Sequence, residues 1–428
     1  SGTSNYYNVF TAKLNSTGLW SWAVTVEQSS SSWGNGIDIA VDSNGNVFVI
    51  GAFEGVATFG TTNLATDVYY MDYFVAKLSS SGSWLWAVNT GGENPSSMSG
   101  FAAELRGGIA VDLSDNVYIT GRYFGTITLG SITLTNDWSE ETFVARLNNG
   151  GSWLWAVSFD TYTVTAFPHD VNSGHGIAVK SGNIYVTGTF DGTKAFGSTI
   201  LTSNGGYDIF VAKLSSSGSW LWAIVVGADE TDFGNAISVD SRGNVLVTGA
   251  FKETVTYGDI TLMSNGWSEL AILSVNSDNL MNSDYDNRAF SSSYSAMGQS
   301  TTTSMGQGIA IDGDGNAYVT GYFSGTSTFG SISLTSTGRD IFVAKLSSSG
   351  SWLWVVKAGY GNNWNRANGI AVTGSNVYIT GSFENTASFG STNLTSNGND
   401  DIFVAKLSIG GTWQWAVKAG GPGDDYGA

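Results

Sequence analysis

Cysteine is absent from the 428 residues, which removes disulfide frameworks, thiolate metal sites and cysteine nucleophiles at once. Proline occurs three times and histidine twice, at His169 and His175, and neither histidine lies in an HExxH pattern. No GxSxG elbow and no phosphate-cradling glycine loop is present. Charged residues make up 12% of the chain, against roughly 25% in an average soluble domain. Basic residues are scarcest: 17 Lys and Arg face 35 Asp and Glu, a net charge of −18. A phosphate backbone needs clustered Lys and Arg, so nucleic acid is excluded as a partner. No apolar run approaches the roughly 18 residues of a membrane span, so none is expected. The opening SGTSNYY has neither a basic start nor an apolar stretch, and is expected to follow a signal peptide already removed.

These absences leave little catalytic equipment. The chain is expected not to be an enzyme and to need no cofactor. Glycosidase chemistry by two carboxylates about 5–9.5 Å apart stays open in principle, but no carboxylate pair stands out, so a polysaccharide-acting hydrolase is the remote alternative.

What the chain has instead is glycine, 57 residues of it, together with 16 tryptophans and polar positions filled by Ser, Thr and Asn. That profile suits a protein of the extracellular space or cell surface. Two phrases alternate along it. The first is FVAKL, SSSGS, WLWAV, seen at Phe74 to Val88 and again from Phe143, Phe210, Phe342 and Phe403, with a variant from Phe10 and a degenerate copy at Leu270 to Val275. The second is GIAVD, a tight turn, then NVYITG, at Ile109 to Gly121, Ile177 to Gly188, Ile309 to Gly321 and Ile370 to Gly381, with variants from Ile37 and Ile237. A shorter signature such as TFGSISL lies between them and reads as a small hairpin or extended excursion. Period-2 alternation, aromatic and β-branched enrichment, and Gly, Asn or Ser at the turns make each phrase a pair of strands. WLWAV is apolar on both faces, which predicts a strand buried between neighbouring sheets.

The phrases GIAVD, GNVYVTG and FVAKL resemble the bacterial β-propeller repeat family known as SBBP. The resemblance covers nearly the whole chain and implies a propeller in a secreted or surface setting, with no common catalytic residues to carry over. Strands A (GIAVD), B (NVYITG), C (FVAKL) and D (WLWAV) then make four-stranded blades. The fold class is all-β, one β-propeller domain over 1–428, with a half blade at 1–33 and blades at about 34–92, 105–160, 174–228, 234–290, 306–360 and 367–421. Seven C–D hairpins against six A–B hairpins favour seven blades, with six as the alternative. Seven requires a chain running past Ala428, or strands from another chain, to complete the first hairpin.

The paired tryptophans (20/22, 84/86, 153/155, 220/222, 352/354, 413/415) recur too regularly for a binding site and are expected to pack between blades. The Lys of FVAKL is expected to lie across from this Trp strand or to pair with the Asp of DIF. The turns DSNGN (Asp42 to Asn46), DLSDN, DSRGN and DGDGN lack the 12-residue frame of a calcium loop and read as Asp-capped turns. A–B and C–D turns share one face and are nearly uniform. B–C and D–A connections share the other and differ in every repeat, so individual function is expected there. That face should carry the non-repeated aromatics Trp33, Phe101, Trp138, Phe167, Trp267, Tyr360 and Trp364, the candidate ligand contacts, beside acidic groups such as Asp229, Glu230, Asp232, Asp424 and Asp425. The functional expectation is a non-catalytic extracellular structural or assembly protein that self-associates through its incomplete blade. The alternative is an adhesion module binding glycan or a surface protein.

Overall fold

The computed structural model describes residues 7–29, 33–66, 71–92, 106–161, 172–257, 260–264, 267–276 and 292–428, and every regular element among them is a β-strand. The strands form six antiparallel sheets of four in the chain order A-B-C-D, preceded by the two-stranded sheet Phe10–Leu14 and Trp20–Thr25. The fourth and fifth are joined into one sheet of eight strands, and small hairpin sheets lie beside the six. The first sheet is Trp33–Val41, Val47–Glu54, Met71–Leu78 and Trp84–Asn89; the second is Gly108–Val111, Val117–Leu129, Ile132–Leu147 and Trp153–Ser158. The third is Ser173–Lys180, Asn183–Phe190, Asp208–Leu214 and Trp220–Val226. The fourth is Phe233–Val239, Asn244–Phe251, Glu269–Asn276 and Ser292–Ser300. The fifth is Thr303–Ile311, Ala317–Phe329, Ile332–Leu346 and Trp352–Ala358, and the sixth Arg366–Thr373, Asn376–Phe389, Thr392–Ser408 and Trp413–Ala419.

Turn chemistry sets the registers. At the C–D turn of the first sheet, Ser79 N donates to Ser83 O (2.8 Å), Gly82 N to Ser79 O (2.9 Å), and Ser83 N to the Ser79 hydroxyl (3.1 Å). The register slips by one residue at Lys77/Leu78, the signature of a bulge next to a residue that must take positive φ. At the A–B turn, Asp42 Oδ1 accepts from the backbone N–H of Asn44 (2.9 Å) and Asn46 (2.8 Å), while Oδ2 accepts from Asn46 Nδ2 (2.8 Å). Asp112, Asp240 and Asp312 repeat the arrangement. Burial pushes the Asp42 carboxyl up, but these hydrogen bonds and Lys77 (3.5 Å) outweigh it and hold the group below its ordinary value. The TFGSISL signature is a hairpin growing from the B–C end, as in Val56–Phe59 with Thr62–Ala65.

The paired tryptophans pack in two recurring ways. In four pairs the first meets a phenylalanine of its own sheet's B–C hairpin edge-on: Phe59–Trp84 at 5.0 Å, Phe196–Trp220 at 5.1 Å, Phe329–Trp352 at 5.1 Å and Phe389–Trp413 at 5.4 Å. In four pairs the indole N–H of the second donates to a carbonyl of the following C–D turn: Trp22 to Ser80 O (3.1 Å), Trp86 to Asn149 O (2.9 Å), Trp155 to Ser216 O (3.0 Å) and Trp354 to Ile409 O (3.1 Å). The turn glycine permits this approach; a Cβ at Gly151 (φ +82°) would stand 2.9 Å from the Trp86 ring.

Two expectations change. Strand D is not buried on both faces: Leu85 is 53% exposed, because D is the last strand of its sheet and nothing covers its outer side. The Lys of FVAKL does face the Trp strand, with Lys77 opposite Trp86, but its ion pair is with the A–B turn aspartate and not with the Asp of DIF. Strand register decides this, since it leaves the turn Asp near the ammonium at the far end of strand C. The degenerate fourth hairpin takes Ser292–Ser300 as its D strand, past residue 290, and Gly298 to Ser300 go on to pair with Phe329 to Ser327 of the fifth sheet. Its loop at 277–291 lies outside the described residues.

Packing divides the chain into two compact units: Ser1–Val186 with Phe190–Leu201 and Ala212–Ala223, and Thr187–Thr189 with Thr202–Val211 and Ile224–Ala428, so the strands of the third sheet fall partly in each. Within the first, Asp38 at the bulge of one A strand accepts from Ile109 N of the next (3.0 Å). Within the second, Asn235 Nδ2 donates to Gly306 O (2.8 Å) and Asn368 Nδ2 to Gly427 O (2.7 Å). Successive A strands therefore run side by side in each unit.

Candidate functional site

The entry to the A strand of the third, fourth and sixth sheets carries an Asn or Asp (Asn172, Asp232 and Asn365) that ties two repeats together. Asp232 N donates to Tyr207 O (2.7 Å), before the third sheet's C strand, while its carboxylate accepts from Lys252 N (2.9 Å) and Ala228 N (3.0 Å). Asn365 does the same work: its backbone N–H (3.0 Å) and Nδ2 (3.1 Å) donate to Arg339 O, and its Oδ1 accepts from Glu384 N (3.4 Å). This clamp brings the residue before it, Trp364, into a parallel bridge with Arg339.

Arg339 pairs with Ser324 across the fifth sheet, so the diagonal neighbour two residues earlier on strand B, Tyr322, shares its face. The Arg339 guanidinium accordingly lies 4.2 Å from the Tyr322 ring centroid and 4.2 Å from that of Trp364. Two rings thus hold one cation. Tyr322 is itself placed by a hydrogen bond from its hydroxyl to Met305 Sδ (3.3 Å). Next along the same end, Arg366 donates from Nε to Ser382 Oγ (3.2 Å) and stands 5.0 Å over Tyr426. Burial and the neighbouring Arg366 hold the Arg339 guanidinium below its ordinary value, against the opposing effect of Tyr322. Asp400 is pushed above the usual carboxylate range by burial, opposed by Arg366 and a hydrogen bond from Tyr426, with Asp424 and Glu384 adding to the rise. Among the described residues the Arg339 guanidinium has no hydrogen-bond or ion-pair partner.

Of the aromatics anticipated for the variable face, Trp33 and Trp138 belong to the first unit and Trp267, Tyr360 and Trp364 to the second. Trp267 (81% exposed), Tyr360 (65%) and Trp364 (63%) are open to solvent in the second unit. Of these, Trp364 alone joins the arginine cluster; Trp267 is tied through its backbone N–H to Thr302 O (2.8 Å), at the entry to the following sheet. Trp33 begins the first sheet in the first unit, half-buried and paired with Glu54. Trp138 lies on the C strand of the second sheet, while Phe101, Phe167 and His169 fall outside the described residues. Tyr322, Arg339 and Arg366 escaped the sequence reading because each is an isolated departure from its repeat; a signal was available in two arginines close together in a chain so poor in base.

Asp208 is fully buried, and the neighbouring Asp229 carboxylate raises it further, while Asp208 in turn raises Asp232. Burial is the main cause in both members of the pair, with Asp208 pushed up to about 6 and Asp232 to about 7. Sheets five and six supply a lysine where the third has Val225: Lys357 reaches Asp340 at 2.9 Å and Lys418 reaches Asp401 at 3.3 Å. Among the described residues no three His, Asp or Glu side chains assemble as a metal-binding group.

A family model described as "SBBP: Beta-propeller repeat" matches residues 298–322, the end of the fourth sheet and the A–B hairpin of the fifth. The chain carries an SBBP-type β-propeller repeat there, in agreement with the resemblance of its repeated phrases. An uncharacterized WD repeat-containing protein of Acanthamoeba polyphaga mimivirus is 29% identical over 280 residues, which is 54% of this chain and 19% of that protein. The chain thus matches about a fifth of that relative's length. A protein of unknown function from Bacteroides caccae aligns with TM-score 0.40 and 11% identity over 83% of this chain and 92% of its own. Another of unknown function from Dyadobacter fermentans aligns with TM-score 0.37 and 11% identity over 90% and 94%. At those scores neither likeness carries an argument about architecture or function.

Proposed function

We propose that the protein is a non-catalytic β-propeller of the extracellular space or cell surface. The six sheets and the N-terminal hairpin stand for seven blades, and the propeller recognises a partner through the face made by its B–C and D–A connections. The observation that carries this reading is the contrast between its two ends. In the second unit, polar groups of the A–B and C–D turns are taken up by the turns' own hydrogen bonds and by a tryptophan contact. At the opposite end of the same sheets Trp267, Tyr360 and Trp364 are exposed, Trp364 beside a guanidinium without an acceptor among the described residues. Exposed aromatic groups rimmed by polar residues mark interaction surfaces. A glycan array tests the reading: binding that falls with Trp364→Ala or Trp267→Ala supports it, and an empty array with no surface-protein ligand counts against it.

Self-assembly is the second reading, supported by the first hairpin. Among the described residues, Phe10–Leu14 and Trp20–Thr25 pair only with each other, whereas every other described D strand closes a sheet of four or more. Free strand edges recruit strands. Light scattering across a hundredfold range of concentration separates the readings, since a chain that stays monomeric throughout does not assemble through that edge.

A further inference from the structure

We infer that Arg339 is the carboxylate-binding residue of an acidic-glycan site, in which Trp364 stacks against a uronic acid ring. The inference rests on the recognition reading above and names its ligand class. The guanidinium lies 4.2 Å from each ring centroid, and its N–H groups form the fork from which a carboxylate accepts two parallel hydrogen bonds. No group among the described residues takes those donors. The stack also fixes the fork in advance, so little freedom is lost when a ligand arrives.

The surroundings select one class of anion. Arg366 adds a second positive charge close enough to act on Arg339. Glu384, Asp400 and Asp424 stand nearby, and the first two are engaged: Glu384 Oε2 accepts from Trp364 N (3.1 Å), and Asp400 accepts from the Tyr426 hydroxyl. A ligand dense in negative charge meets those carboxylates, whereas a uronic acid brings one carboxylate per ring and an apolar ring face. Trp364, covered on the side of Arg339 and 63% exposed overall, offers a flat surface for that face, with Tyr360 four residues away and 65% exposed. This favours an acidic sugar over an acidic peptide.

The test is calorimetric titration of the whole chain with short oligomers of galacturonate, glucuronate and mannuronate, each beside its methyl ester, and with a triglutamate peptide. At least one uronate should bind ten times or more tighter than its ester. Arg339→Gln should cost that preference tenfold or more, and Arg339→Lys nearly as much, because an ammonium keeps the charge without the fork. Trp364→Ala should weaken acid and ester alike. Melting curves of each variant separate lost binding from lost fold. Equal binding of acid and ester, or an Arg339→Gln variant that binds the acid normally, overturns the assignment while leaving glycan recognition standing. Triglutamate binding as tightly as the uronates overturns the sugar. No binding of any uronate, with a neutral glycan bound on the array, removes the carboxylate site alone; an empty array as well removes the recognition reading with it.

Discussion

The second and fifth sheets use the same pair of positions for opposite ends. Arg122 and Tyr322 each follow the glycine that closes their B phrase, and Glu140 and Arg339 each stand three residues before the Phe of strand C. In the second sheet Arg122 Nη1 meets Glu140 Oε2 at 3.2 Å with both side chains at or below 10% exposure. Tyr73 seals the pair, its hydroxyl donating to Arg106 O (3.2 Å) and accepting from Arg122 N (3.3 Å). In the fifth sheet the cation has changed strand, its carboxylate is gone, and two rings hold it at the surface. One repeat turns its charge inward and satisfies it; the other holds its charge in place and leaves it unsatisfied. A structural role predicts the first arrangement, and the proposed acidic-glycan site predicts the second.

Stability measurements can break this contrast. Removing one member of a buried pair strands the other, so Arg122→Ala or Glu140→Ala should each cost about 3–5 kcal/mol in urea unfolding. The double change Arg122→Met with Glu140→Leu should recover most of that loss, because burial already pushes the Glu140 carboxyl up in spite of Arg122. Arg339→Gln should cost no more than about 1 kcal/mol, the scale of a half-exposed cation–ring contact. If it costs as much as Glu140→Ala, the stack is structural and the distinction between the sheets disappears.

The strand-entry clamp gives a second comparison with a worked sign. Asn172 and Asn365 stand where the fourth sheet has Asp232, whose folded-state pKa of about 7 arises from burial first and from Asp208 among the lesser causes. A raised carboxyl pKa means the folded chain binds the proton more tightly than the unfolded chain does. The stabilisation is therefore complete below the ordinary carboxylate range, near pH 4, and is lost as pH rises through about 7. Asp232→Asn keeps an acceptor for Lys252 N and loses the charge. It should raise stability at pH 8 by about 2 kcal/mol and leave it little changed at pH 4. A variant less stable at both pH values would show that the second acceptor oxygen, used by Ala228 N, matters more than the charge.

Much of this architecture can be read from the residues, because strand alternation and turn chemistry are local. FVAKL, SSSGS and WLWAV specify strands, a bulge and a register without reference to anything distant, and GIAVD with its Asp-capped turn does the same. What escaped depends on neighbours. Ser292–Ser300 has no apolar alternation and becomes a D strand by backbone pairing with Glu269–Asn276. Leu85 reads as core until the sheet order leaves its face uncovered. Trp364 and Tyr360 were visible as aromatics outside the repeat, but Arg339 and Tyr322 meet Trp364 only through a cross-strand diagonal and the Asn365 clamp. A cation–ring cluster built across two repeats has no spacing to find in the sequence.

The smallest effect tests the tryptophan stitch. Trp86 and Trp222 occupy equivalent places on their D strands and pack on equivalent rings, Phe48 at 6.1 Å and Tyr185 at 6.3 Å. Trp86 Nε1 has an acceptor in the following C–D turn, whereas Trp222 Nε1 is buried with none among the described residues. The fourth repeat, which follows Trp222 in the chain, lacks the SSSGS turn that supplies this carbonyl elsewhere. An indole N–H donor with a partner adds about 1 kcal/mol, and one buried without a partner is a cost. Trp86→Phe should therefore destabilise by about 1 kcal/mol more than Trp222→Phe in paired urea titrations, once the similar loss of ring area is common to both. Equal losses would place the value of these tryptophans in packing alone. A larger loss at Trp222 would mean that its N–H does find an acceptor.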